Sequence, residues 1–225
     1  MGTQGPIVSL LGYQQALCDM VASPDLCVQV RKDADGALSP YDITPKERGR
    51  LAAVAQQRGM STNCTLHRLN RMTPIYSYMP LTCTLLGDDL VREMEQFWQD
   101  CKLEDLQFRP ETQRFASFLH RRIAEGALPN PDLEDVLRLE VAAIELEWKI
   151  DPPVRVVRFR NDPEPLLAEL NEGRRPTRES TISHHDYFVL LDARGDDIRL
   201  AVIDGDVPED IASLSGYGHR ELDRR

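Results

Sequence analysis

The sequence predicts an α+β protein, with an N-terminal helical bundle over residues 1–150 and a small C-terminal sheet domain over residues 151–225. Three observations carry this expectation. Apolar residues recur at helical spacing through the first part of the chain, Asp151-Pro152-Pro153 then stops that pattern, and short β-rich runs follow it. A length of 225 residues suits one large or two small domains, and the double proline is where a boundary is expected.

Gly12 to Ala22 reads as a modest amphipathic helix, and Lys32 to Asp42, with its Asp, Gly, Ser and Pro residues, as a loop. Thr44 can cap a helix, Pro45 suits the first helical position and Glu47 lies three residues after the cap, the form of a capping box. Leu51, Val54 and Ala55 give that helix its apolar stripe, and Gly59 offers a stop. From Thr62 to Leu86 the chain stays compatible with helix, but Pro74 and Pro80 each remove a backbone donor, which predicts two short helices. Gly87 and Asp88 precede Leu90, Met94, Phe97 and Cys101, one face of a further helix. Pro110 to about Glu125 turns Phe115, Phe118 and Leu119 inward, with Gly126 as its stop. Asp132 opens the last helix of the bundle, whose stripe is Leu133, Val136, Leu137, Ile144 and Trp148.

Beyond the double proline, Val154 to Phe159 reads as a strand and Asp162 to Gly173 as a helix, with Leu166, Leu167 and Leu170 on one face. Tyr187 to Leu191 and Ile198 to Ile203 bracket Arg194-Gly195-Asp196-Asp197, the pattern of a hairpin, and Pro208 to Leu214 can add one short helix.

Composition narrows the function. Lys and Arg number 27 against 37 Asp and Glu, a net charge of −10 that argues against whole-surface attraction to nucleic acid or anionic lipid. No apolar run nears the roughly 18 residues a membrane span needs, and Met1 to Gly12 lacks the basic start of a secretory signal. A cytoplasmic chain with no membrane association is expected. The five cysteines, Cys18, Cys27, Cys64, Cys83 and Cys101, lack paired spacing, which fits reduced thiols.

Phosphate-cradling glycine loops, a nucleophile-elbow serine, a paired-histidine zinc helix and Cys-x-x-Cys are all absent, which disfavours a self-sufficient enzyme. Cys64 and His67 are three apart on a helix and Cys83 is a possible third ligand, but a core cysteine and a capping histidine explain the same residues, so no metal is assigned here. His184 and His185 are adjacent before a strand and point to opposite faces, poor geometry for joint chelation. Asp33-Ala34-Asp35-Gly36 opens like a calcium loop, yet the later ligands and closing Glu are missing. Glu140 falls within an apolar stripe, where an ion pair with an arginine is expected.

Two features point to binding. Between Thr44 and Gly87 stand Lys46, Arg48, Arg50, Arg58, Arg68 and Arg71 against one acid, Glu47, in an otherwise acidic chain, with Tyr76 and Tyr78 beside Met72 and Met79. Either an anionic partner docks there, or acids such as Asp88, Asp89, Glu93 and Glu95 on neighbouring helices balance the charge. The small sheet, in turn, should leave an open edge. An extended peptide can add to Val154–Phe159 or to Ile198–Ile203 by main-chain hydrogen bonds, unless Arg155, Arg158 and Arg199 merely shield those edges. The side chains concerned are Val154, Val156 and Arg158 on the first strand and Arg199, Ala201 and Ile203 on the last.

The succession His67-Arg68-Leu69-Asn70, Met79-Pro80, Leu85-Leu86-Gly87-Asp88, Arg114-Phe115 to Phe118-Leu119 and Leu133 to Glu140 resembles a helical family first catalogued as DNA-binding domains. Its members are partner proteins of the multinuclear non-haem iron-dependent oxidases that modify ribosomally made peptides, as in methanobactin and bufferin-type pathways. The C-terminal strand, helix and hairpin are similar to the peptide-recognition part of those partners, so the resemblance runs from about Gly12 to Leu214. The family often shows Tyr-Arg-x-Asn where this chain has His67-Arg68-Leu69-Asn70, and Phe-Pro where it has Met79-Pro80. The resemblance implies a non-catalytic subunit with no cofactor of its own, paired as a heterodimer with an iron oxidase that holds the metal, and binding a precursor's leader peptide. Arg68 and Asn70 would be partner-facing or structural, and Arg48, Arg71 and Tyr76 extend that expected interface. A nucleic-acid-binding regulator presenting Arg48, Arg50, Arg68 and Arg71 to phosphates, and a metalloenzyme using Cys64, His67 and Cys83, are the alternatives.

Overall fold

The computed structural model describes residues 7–100, 108–176 and 186–215. Among these the α+β class is observed, with helices through the N-terminal part and a three-stranded antiparallel sheet near the C-terminus. The expected positions of Cys101, His184 and His185 lie outside the described residues. The chain divides into two compact units, residues 1–73 and 74–225, so the double proline lies inside the second.

In the first unit α1 (Ile7–Ala22) is followed by α2 (Pro24–Lys32), whose start is set by the Ser23 side chain accepting the Leu26 N–H at 3.3 Å. Asp33 accepts the Gly36 N–H at 3.0 Å, so part of the stretch expected as a loop forms the single turn α3 (Ala34–Ala37). α4 (Pro45–Ala55) opens with the expected capping box: Glu47 N–H donates to Thr44 Oγ1 at 3.3 Å, and Thr44 N–H to Glu47 Oε2 at 2.8 Å. The helix stops at Ala55, before Gly59, which instead sits in the first turn of α5 (Arg58–Tyr78). Ala16, Met20, Cys27, Val30, Leu38, Ile43, Leu51, Ala55, Met60 and Cys64 form the core of this unit. A Cβ on Gly12 would lie 2.3 Å from the Asp42 carbonyl oxygen, so glycine is what lets α1 approach the chain entering α4.

Pro74 does not divide α5 into short helices as its chemistry predicts: the helix runs through it to Tyr78. One missing donor leaves the other backbone bonds of a long helix in place, and the Thr73 hydroxyl beside the proline donates to the Leu69 carbonyl at 2.8 Å. Pro80 occupies the first position of α6 (Pro80–Leu86), where no N–H is needed. In α7 (Asp89–Asp100) Leu90, Met94 and Phe97 are buried as expected, and in α8 (Phe108–Ala124) so are Phe115, Phe118 and Leu119. Phe97 meets Phe115 and Phe118 with ring centroids 5.2 and 5.6 Å apart. Glu93 is fully buried on α7 and held by Arg122 at 2.9 Å and Arg92 at 3.2 Å. These two arginines of the same unit, rather than the basic stretch, engage this acid.

α9 (Pro131–Glu147) starts where Asn130 accepts the Asp132 N–H at 3.0 Å, and Trp148 is its C-cap. Its stripe carries the sheet. The sheet comprises β1 (Val154–Phe159), β2 (Tyr187–Asp192) and β3 (Arg199–Asp204) in the order β1-β2-β3. Between β1 and β2 lies α10 (Pro163–Asn171), and α11 (Glu209–Ser215) follows β3 and packs against β1. Polar contacts clamp both ends of β1 to α9. Arg155 donates to Glu145 at 3.1 Å, while the Arg160 N–H beyond the strand donates to Asp135 at 3.0 Å.

Candidate functional site

An antiparallel strand turns its backbone groups alternately toward one neighbour and the other. Two bonds just outside the strands fix the phase: the Ala193 N–H donates to the Pro153 carbonyl at 2.9 Å and the Gly205 N–H to that of Asp186 at 3.3 Å. Stepping by two through the register, Arg199, Ala201 and Ile203 face β2 with their backbone groups, and Leu200, Val202 and Asp204 face away from the sheet. On β1 the outward set is Val154, Val156 and Arg158.

The two edges differ in what remains open. Arg155, expected as an exposed shield, is 6% exposed and gathers the turn that leads into β1. Its Nη2 donates to the carbonyls of Ile150 at 2.8 Å and Asp151 at 3.2 Å, and its Nη1 to those of Pro152 and, at 3.2 Å, Val154. The outward carbonyl of Val154 is thereby taken by the chain itself. Arg158 is held by Asp186 at 2.7 Å. β3, by contrast, is exposed along most of its length, and among the described residues no strand lies beyond it. Arg199 and Ala201 are exposed and Ile203 is half-buried, their side chains sharing one face of the sheet with Val154, Val156 and Arg158. The expected peptide-binding residues thus fall on one face of two different edges. The missed residues are Leu200 and Val202, since the direction of a backbone group depends on register and not on composition.

The expected partner-facing residues are spread along the basic stretch. Arg48 on α4 pairs with Asp35 at 3.0 Å. On α5, Arg68 is half-buried, Asn70 exposed, Tyr76 half exposed, and Arg71 only 5% exposed. Arg71 therefore does not offer its guanidinium at the surface. Leu66 and Leu69, three apart on the same helix, are exposed and were not singled out from the sequence.

Cys64 and Cys83 are both buried, Cys64 donating to the Met20 carbonyl at 3.5 Å. Burial pushes both thiols up, that of Cys83 to about 12 with the help of nearby Glu140, which favours neutral thiols over the thiolates a metal requires. Among the described residues no three His, Cys, Asp or Glu side chains converge to hold a metal.

Glu140 has a partner other than the expected arginine. From α9 its carboxylate accepts the Leu81 N–H at 2.7 Å and the Thr82 N–H at 2.9 Å, the first turn of α6. Met79 gives that helix no side-chain cap, so Glu140 supplies the cap from another helix. Burial pushes its carboxyl up to about 7 although the two amides pull it down. The result is a structural joint between α9 and α6, with the Cys83 thiol close by.

Among the described residues no helix is long and apolar enough to cross a membrane. Compared with protein-family models, with curated proteins and with solved structures, the chain finds no match in any of the three.

Proposed function

We propose that this chain is a non-catalytic recognition subunit of the cytoplasm, which holds an extended segment of a precursor peptide along β3 and pairs with a multinuclear non-haem iron oxidase that modifies the peptide. The observation that carries the reading is the β3 edge, where the N–H and C=O groups of Leu200, Val202 and Asp204 point away from β2 and the strand is exposed. An incoming strand satisfies those groups with main-chain bonds and needs no change in the host. Pairing with an oxidase is supported by the resemblance of the helical motifs and by Asn70, Leu66, Leu69 and Tyr76 exposed on α5. Iron belongs to the partner in this reading. Holding the peptide on a subunit bound to the enzyme raises its local concentration at the reacting site.

Co-expression with a multinuclear non-haem iron oxidase and a candidate precursor peptide tests the reading. The three are expected to purify together, and Val202→Pro, which removes an outward donor while leaving the bonds to β2, is expected to cut peptide modification at least about tenfold. Separate elution of this chain, or unchanged modification in the variant, would contradict it.

A further inference from the structure

We propose that β3 selects its guest by a two-residue apolar repeat, so that apolar side chains at alternate positions of an extended peptide prolong side-chain rows the sheet already carries. This rests on the capture reading above and names the peptide class. Register places Arg155, Leu191 and Leu200 in one row across the sheet and Val157, Val189 and Val202 in the next, all on one face. Along each row burial falls abruptly at the last strand, from 0% exposed at Leu191 to 59% at Leu200 and from 1% at Val189 to 37% at Val202. α9 packs against β1 and β2, the strands that carry the buried members of these rows. The rows therefore end in exposed apolar side chains at the same edge where, among the described residues, no strand pairs with the outward backbone groups.

A guest strand lies about 4.8 Å beyond β3 and sets its own side chains about 4.5–5.5 Å from Leu200 and Val202. An apolar group at each of those positions removes water from both partners. Between them the guest's intervening side chain lies on the opposite face, beside the exposed Ala201 and within reach of Arg199, where a polar group keeps its solvent. The favoured segment thus alternates apolar and polar residues. A continuous apolar run leaves half of its side chains on the wet face.

Two fluorescein-labelled peptides of identical Val and Thr composition, flanked by Lys, provide the test: one strictly alternating, the other with its Val residues in adjacent pairs. By fluorescence anisotropy the full chain is expected to bind the alternating isomer about tenfold more tightly. The double variant Leu200→Thr and Val202→Thr, which keeps every backbone group, is expected to bind both isomers equally. Equal binding by the unaltered chain, lost for both isomers in Val202→Pro, overturns the repeat rule and leaves peptide capture standing. Failure to bind either isomer overturns capture itself. A stable dimer dispersed by Val202→Pro gives the edge to a second copy and overturns the proposal.

Discussion

Phe97→Ala is expected to lower the unfolding free energy of the second unit by about 3–5 kcal/mol, the usual cost of truncating a buried phenylalanine. Phe97 is fully buried and its ring is edge-on to Phe115 at 5.2 Å and tilted against Phe118 at 5.6 Å, so removing it leaves a void that two large neighbours on another helix cannot close together. Trp98 and Trp148 both lie in this unit, so urea titration followed by tryptophan fluorescence reads its unfolding. Phe97→Leu retains most of the volume and is expected to lose roughly half as much. A loss under about 1 kcal/mol for the alanine variant would mean that the three rings do not form the continuous core described above.

The second large effect is a dependence on pH. The carboxyl of Glu140 stands at about 7 in the folded chain against an ordinary value of 4.5. Between those values the folded state holds a proton that the unfolded state has released, so stability falls as pH rises through this window. The contribution is fully present below about pH 4.5 and gone above about pH 7. Its size is on the order of 3 kcal/mol. Glu140→Gln cannot ionise, so the difference in urea midpoint between the unaltered chain and this variant is expected to shift in favour of the variant from pH 5 to pH 8. At all pH values the variant also loses one of the two amide bonds to Leu81 and Thr82, a constant offset rather than a slope. A difference that stays flat across the window would show that Glu140 is ionised throughout and that the α6 amides outweigh burial.

Much of the secondary structure was legible because its signals are local. Thr44, Pro45 and Glu47 specify a helix start within four residues, and Val154–Phe159 follows the apolar β-rich run residue for residue. Gly59 and Pro74 misled for the same reason, since a residue's intrinsic preference is weak against the continuity of a helix already packed on its neighbours. Glu140 was recognisable as a buried acid but its partner was not, because Leu81 and Thr82 lie some 60 residues away and only the packing of α6 on α9 joins them. The sheet edge was likewise expected, yet the sequence could not say which alternate set of backbone groups faces out. A shift of one residue in register exchanges Arg199, Ala201 and Ile203 for Leu200, Val202 and Asp204. For that reason the side chains named from sequence and those that end the buried rows belong to opposite faces.

Residue-resolved amide hydrogen exchange on the free full-length chain tests the open edge most directly. The amides of Ala201 and Ile203, bonded into the sheet, are expected to exchange at least about tenfold more slowly than those of Leu200, Val202 and Asp204, which meet water. Equal protection of the two sets would mean that the chain's own backbone already covers the margin of β3, leaving no place for a guest strand.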